Sequence, residues 1–207
     1  MKYYKSVSDV LTDPSDSNKL WVGGAVGLFS FDKQSGKFTL HKNADIRPDL
    51  VLKPSIRHFE WQNDTEIRVS YFNSAVEEHA GTAVYNTVED QWYNVPTGST
   101  VPPRILGFAR KSETEYWLAA RRAGFGILNT ENNIFQALET DPEKEKTVQG
   151  GPIRKVYTGR HGSVWVLGDK GISYYDPLAD VFTKYELDFQ IPKFGRTTSF
   201  LTKGDKV

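Results

Sequence analysis

The sequence predicts an all-β protein: a β-propeller segment of four complete four-stranded blades, with strand remnants at both ends, as part of a larger propeller. Three observations lead there. A glycine followed by Asp or Asn at plus five and an aromatic at plus eleven recurs four times, as Gly27/Asp32/Phe38, Gly81/Asn86/Trp92, Gly124/Asn129/Phe135 and Gly171/Asp176/Phe182. The glycines stand 43 to 54 residues apart, a spacing typical of propeller blades. Runs rich in Val, Ile, Tyr, Phe, Trp and Thr alternate with turn residues, and no long stretch carries a 3.6-residue apolar period, so long helices are not expected.

Each blade is read as four runs. The first is anchored by Val7, Ile56, Ile105 and Ile153, and the second by Trp21, Arg68, Trp117 and Trp165. The two anchors are 12 residues apart in repeats two to four and 14 in repeat one, where the extra length falls in Asp13-Pro14-Ser15-Asp16-Ser17-Asn18. The repeat glycine suits a tight entry into the third strand, and the Asp or Asn suits a strand-ending turn in which its side chain bonds the backbone. The aromatics at plus eleven and the second-strand Trp suit the space between neighbouring sheets. In repeat four the runs are Ile153–Thr158, Ser163–Leu167, Gly171–Asp176 and Val181–Glu186, with a hairpin turn at Gly159-Arg160-His161-Gly162.

The blades are expected at about 7–41, 56–95, 105–138 and 153–186, with a strand of the next blade at about 197–207. Lys2-Tyr3-Tyr4-Lys5 resembles Thr183-Lys184-Tyr185, the end of a fourth strand, and Thr197–Thr202 resembles a first strand. This phase favours a segment of a larger ring, because repeat arrays need closed or capped ends. A closed four-bladed ring is the alternative, and it would leave both end strands without their own blade.

Composition narrows the function. The 207 residues carry 26 basic and 26 acidic side chains, a formal net charge of zero, which does not suggest a general nucleic-acid or polybasic membrane binder. The absence of Cys excludes disulfides, thiolate metal sites and a Cys nucleophile. No apolar stretch reaches membrane-spanning length, so direct membrane insertion is not expected. The N-terminus lacks the apolar core of a signal peptide, which leaves a cytosolic protein or an excerpt of a longer chain.

Blade four, from Gly162-Ser163-Val164-Trp165-Val166-Leu167-Gly168 through Gly171-Ile172-Ser173-Tyr174-Tyr175-Asp176, resembles the two-component regulator propeller repeat. Blade one resembles it too, through Leu20-Trp21-Val22-Gly23-Gly24 and Gly27–Asp32. Blade three departs with Ala119-Ala120 and Asn129, and blade two with Arg68 in place of Trp and a longer insert. The resemblance covers nearly the whole chain. It implies the periplasmic or extracellular sensor of a bacterial hybrid histidine kinase, recognising a glycan or other small ligand. It also implies partner blades and downstream signalling domains in the parent chain. It carries over no catalytic residue, because the repeat motif is structural.

The search for chemistry agrees with a non-enzyme. His41, His58, His79 and His161 lie in no hydrolase elbow or metal motif, and read as surface or inter-blade residues. Asp13–Asn18 lacks the Gly and Glu of a calcium loop and reads as a polar turn. Gly124-x-Gly126 lacks the rest of a dinucleotide fingerprint. No cofactor or metal is expected. A propeller glycosidase or lyase would need paired carboxylates; Asp9 and Glu60 on the first strands do not share a register, and Asp141–Glu145 reads as a solvated loop. The candidate ligand contacts are Arg57, Arg104 and Arg154 at the starts of first strands, Arg121 and Arg122 in a strand two-to-three loop, and Tyr71, beside Phe72, as a stacking surface. Arginines so placed suit a carboxylate or sulfate through paired donors. The alternatives are a secreted interaction propeller without a kinase and a polysaccharide-active enzyme.

Overall fold

The computed structural model describes residues 7–42, 55–72, 81–94, 100, 102, 105–132, 134–139, 147–148 and 152–186. The expected end strands at 2–5 and 197–207, Arg104, His79 and the acidic loop at 141–145 lie outside the described residues, and so does the side chain of Phe72.

The fold is an all-β propeller of four blades, each a four-stranded meander in chain order. Blade 1 holds β1 (Val7–Thr12), β2 (Lys19–Gly24), β3 (Gly27–Asp32) and β4 (Lys37–His41). Blade 2 holds β5 (Ser55–Trp61), β6 (Glu66–Phe72), β7 (Gly81–Asn86) and β8 (Gln91–Asn94). Blade 3 holds β9 (Ile105–Arg110), β10 (Glu115–Ala120), β11 (Gly124–Asn129) and β12 (Ile134–Ala137). Blade 4 holds β13 (Ile153–Thr158), β14 (Val164–Gly168), β15 (Gly171–Asp176) and β16 (Val181–Glu186). Three of the runs read in repeat four coincide with strands, and the second lies one residue further on. Among the described residues there is no α-helix, only a 3-10 turn at Arg160–Gly162. The chain divides into two compact units, essentially blades 1 and 2 and blades 3 and 4.

The repeated Asp or Asn closes the hairpin between third and fourth strands as its chemistry requires. Asp32 Oδ1 accepts from the Ser35 amide at 2.6 Å, and Asn86 Oδ1 from the amides of Val88 and Glu89 at 3.0 and 3.1 Å. Asn129 Oδ1 accepts from Glu131 and Asn132, and Asp176 Oδ1 from Leu178 and Ala179. Nine residues after the repeat glycine the backbone turns left-handed, at Gly36 (φ 67°), Asp90 (53°) and Asp180 (52°), residue types that tolerate this region best.

In the first unit, one face of blade 1 presents Trp21, Leu28 and Leu11 to Ile56, Phe59, Ile67, Val69 and Tyr85 of blade 2. Gly23 makes this contact possible: a Cβ there would lie 2.7 Å from the Phe59 ring and 2.8 Å from Ile56 Cγ2. In the second unit Trp117, Ala119 and Phe125 of blade 3 meet Ile153, Val156, Val166 and Tyr175 of blade 4. Trp117 stacks on Phe125 with centroids 5.5 Å apart, and Tyr175 and Phe182 meet the Trp117 ring edge-on. Each fully buried large side chain contributes about 1.5–3 kcal/mol of transfer free energy, so these inter-sheet layers are the main source of cohesion. The aromatic positions of the repeat therefore act as core, with the exposed Phe38 of blade 1 as the exception.

Candidate functional site

The starts of the first strands share a device that the sequence does not display. The ladder slips by one residue between Val7 and Asp9, between Ile56 and His58, and between Ile153 and Lys155. Ser8, Arg57 and Arg154 are thus the extra residues of three equivalent β-bulges. A bulge bends the strand locally and re-aims the side chain it carries, and such features gather at binding sites. Two of the three extra residues are arginines. Arg104 precedes its anchor Ile105, whereas Arg57 and Arg154 follow theirs, so it belongs to a different register position.

Antiparallel pairing puts each bulge at the same end of its blade as the loop between strands two and three. Ile56 pairs with Tyr71, which sets the half-buried Tyr71 beside exposed Arg57 at one end of blade 2. In the second unit, Arg121 and Arg122 occupy the exposed turn between β10 and β11. Arg154 directs its Nε and Nη2 to the two carboxylate oxygens of Asp169, which stands in the turn between β14 and β15. That turn is fixed by the Asp169 amide donating to Pro152 O at 3.0 Å. The hydrogen bonding to Asp169 outweighs desolvation and raises the Arg154 pKa further. Asp169 was absent from the residues singled out by sequence. It comes into view only with the strand pairing, since the turn Asp169-Lys170 follows Gly168, which pairs with Ile153.

Two histidines join blades 1 and 2. His58, on β5, bonds Asp9 Oδ2 on β1 through Nδ1 at 2.7 Å. Both residues stand two places after their first-strand anchors, so Asp9 finds its partner in the same register rather than in Glu60. His41 ends β4, with Ser30 Oγ 2.9 Å from Nε2 and Asp90 Oδ1 3.0 Å from Nδ1. The Tyr85 hydroxyl donates to the same Asp90 oxygen and lies 2.6 Å from His41 Nδ1. Burial, opposed by the Asp90 contact, lowers the His41 pKa below 6.5. Burial and Asp90 together push the Tyr85 hydroxyl up. The Ser30–His41–Asp90 order matches a nucleophile, base and carboxylate, but Ser30 is buried and His41 packs against Trp21 at 5.0 Å. The arrangement works as a polar joint between blades. His161 lies in an exposed turn at φ 54°.

Asp13–Asn18 is a polar turn. Asp13 Oδ1 accepts from the Ser15 amide and hydroxyl and the Asp16 amide, and Oδ2 accepts from Trp21 Nε1 at 3.0 Å. Burial works to raise this carboxyl, but the Ser15 and Trp21 hydrogen bonds with nearby Lys19 hold it below its ordinary value.

Solved structures resemble this fold. The extracellular domain assigned to the hybrid two-component system BT4673 of B. thetaiotaomicron aligns with a TM-score of 0.63 at 19% identity, over 89% of this chain and 22% of that one. The extracellular domain assigned to the hybrid two-component system BT3049 of the same organism gives 0.64 at 16% identity, over 87% and 24%. An auxiliary nutrient binding protein from Bacteroides thetaiotaomicron gives 0.61 at 12% identity, over 87% and 41%. The chain therefore spans less than a quarter of the length of these two extracellular domains. No family model matches the chain, and no curated protein matches it.

Proposed function

We propose that the chain is a ligand-sensing segment of an extracytoplasmic propeller from a bacterial hybrid two-component sensor, without catalytic activity of its own. The observation that carries this reading is the repeated first-strand bulge, which puts Arg57 and Arg154 at the loop-bearing ends of their blades. Arg104, Arg121, Arg122 and Tyr71 complete the proposed contact set, and the ligand class is a glycan or another small extracytoplasmic molecule. Rigid blades hold the loops, and the signal passes through other domains of the parent protein. Support comes from the likeness in fold to the extracellular domains assigned to two hybrid systems.

Isothermal titration of the full chain with neutral, carboxylated and sulfated oligosaccharides tests the reading. Binding of at least one class, weakened by Arg57→Ala and Arg154→Ala, is expected. Unchanged affinity in both variants ends the arginine assignment, and binding of none of the probes ends the glycan assignment. The coding sequence beyond Val207 tests the sensor assignment, through a membrane helix and a kinase core. The nutrient binding protein of similar fold supports a second reading, a secreted binding propeller without a kinase.

A further inference from the structure

We propose that Asp169 sets the ligand class accepted at the loop-bearing end of blade 4: a pair of adjacent uncharged hydroxyls, as on a neutral sugar, in preference to a carboxylate or sulfate. This selectivity rests on the sensing role proposed above for Arg154.

The backbone holds both partners in place. Arg154 is the extra residue of the bulge in β13, between Ile153 and Lys155. Asp169 opens the turn that links Gly168 to Gly171, which pair with each other in the ladder, and its amide donates to Pro152 O at 3.0 Å. The two side chains are 28% and 35% exposed, so solvent reaches both. The carboxylate is particular to blade 4. Ala25, Asn73 and Arg121 follow the second strands of blades 1, 2 and 3 at the place where Asp169 follows that of blade 4.

A guanidinium grips an anion through two parallel N–H donors on one edge. In Arg154 the edge formed by Nε and Nη2 is occupied by the two Asp169 oxygens. Donors remain on Nη1 and on the second Nη2 hydrogen, but they lie next to a carboxylate. An anion that approaches them meets a pair whose charges offset each other, with a like charge at close range. A hydroxyl meets the opposite situation. It accepts from a remaining guanidinium donor and donates to a remaining lone pair of Asp169 at the same time. Two hydroxyls on neighbouring carbons therefore match a pair that offers donors and acceptors side by side.

Isothermal titration of the full chain with oligosaccharides in matched neutral and charged forms, tetragalacturonate against its methyl ester among them, tests the proposal. The wild type binds the neutral member of a pair more tightly. Asp169→Asn uncovers the guanidinium charge and replaces one acceptor oxygen by an amide. Its neutral-to-anionic affinity ratio falls about tenfold, the factor for one charge-assisted hydrogen bond. Asp64→Asn makes the same change of charge in the exposed turn between β5 and β6, and its ratio stays at the wild-type value. Asp169 is an exposed turn residue, so the fold is kept, and circular dichroism melts confirm it. A wild type that prefers the charged member, an unchanged ratio in Asp169→Asn, or an equal fall in Asp64→Asn overturns the proposal and leaves the sensing role standing. Binding of none of the oligosaccharides overturns that role, and the selectivity with it.

Discussion

Gln62 Oε1 accepts two hydrogen bonds from the buried Arg68 guanidinium, from Nε at 3.0 Å and Nη2 at 2.7 Å. The pair occupies the register of Asp13 and Trp21 in blade 1, where Trp21 Nε1 donates to Asp13 Oδ2. The backbone closes the same way at each site: Asp13 N bonds Lys19 O, Gln62 N bonds Glu66 O, and Lys111 N bonds Glu115 O. In blade 3 the partners are Lys111 and Trp117, with Nζ 5.7 Å from the ring centroid. Arg68 therefore stands where the repeat has Trp because its neighbour supplies an acceptor for it.

Gln62→Ala should destabilise the protein by about 1.5–3 kcal/mol, the range for a hydrogen bond to a charged group. Transplanting the blade 1 pair as Gln62→Asp with Arg68→Trp should cost less than the two single changes added together. Urea titration of the four proteins gives the coupling energy. Additive costs would show that the two positions do not act as a pair.

The blades were legible because each strand layer repeats a residue whose chemistry is local. The repeat glycine, the turn-closing Asp32, Asn86, Asn129 and Asp176, and the aromatics each announce their position. The bulges at Ser8, Arg57 and Arg154 were not legible, since a one-residue slip leaves no composition signature. Arg68 read as a departure from the motif because its meaning lies in Gln62, six residues after Ile56 as Asp13 is after Val7. The contact of Arg154 with Asp169 needed the strand pairing before the turn could be seen facing the strand start. The candidate site was thus legible in its residue types and not in its pairings.

His41 links stability to pH. Burial lowers its folded pKa below 6.5, while the Asp90 contact works the other way and Lys19 adds to the lowering. The unfolded chain therefore binds the proton more readily. Stability is complete above pH 6.5 and falls as the pH drops from there through the folded pKa. The melting temperature should decline between pH 7 and pH 5, and His41→Gln should flatten that decline. An equal slope in the variant would assign the acid sensitivity to other groups.

Asp180 carries two duties that substitution can separate. It sits at φ 52°, and its Oδ1 accepts from the Tyr175 hydroxyl at 2.6 Å. Burial and this contact raise the Tyr175 pKa to about 12. Asp180→Gly removes the acceptor but suits the left-handed backbone, whereas Asp180→Ala removes the acceptor and leaves a Cβ there. The alanine variant should be less stable than the glycine variant by about 1 kcal/mol. Thermal denaturation compares them. Both should lower the Tyr175 pKa, read by ultraviolet titration of the phenol. Equal stabilities would mean that the turn relaxes out of the left-handed region.

Gly23 and Gly126 should differ in their tolerance of a methyl group. At Gly23 the added Cβ meets side chains, with the Phe59 ring at 2.7 Å and Ile56 Cγ2 at 2.8 Å. Those groups can shift at a cost of about 1–3 kcal/mol, the usual range for overpacking. At Gly126 the nearest atom is the Gln136 carbonyl oxygen at 2.1 Å, followed by Ala137 Cα and Phe135 Cζ at 2.8 Å. Here the obstacle is the backbone of β12, which pairs Ala137 with Gly126 itself. Relief requires β12 to move away from β11, with loss of ladder hydrogen bonds. Gly126→Ala should therefore cost more than Gly23→Ala in urea denaturation. Hydrogen exchange should show where the damage falls, with faster exchange of the β12 amides in Gly126→Ala and little change there in Gly23→Ala. The reverse order of stabilities would mean that the joint between blades 1 and 2 is less able to give than the outer edge of blade 3.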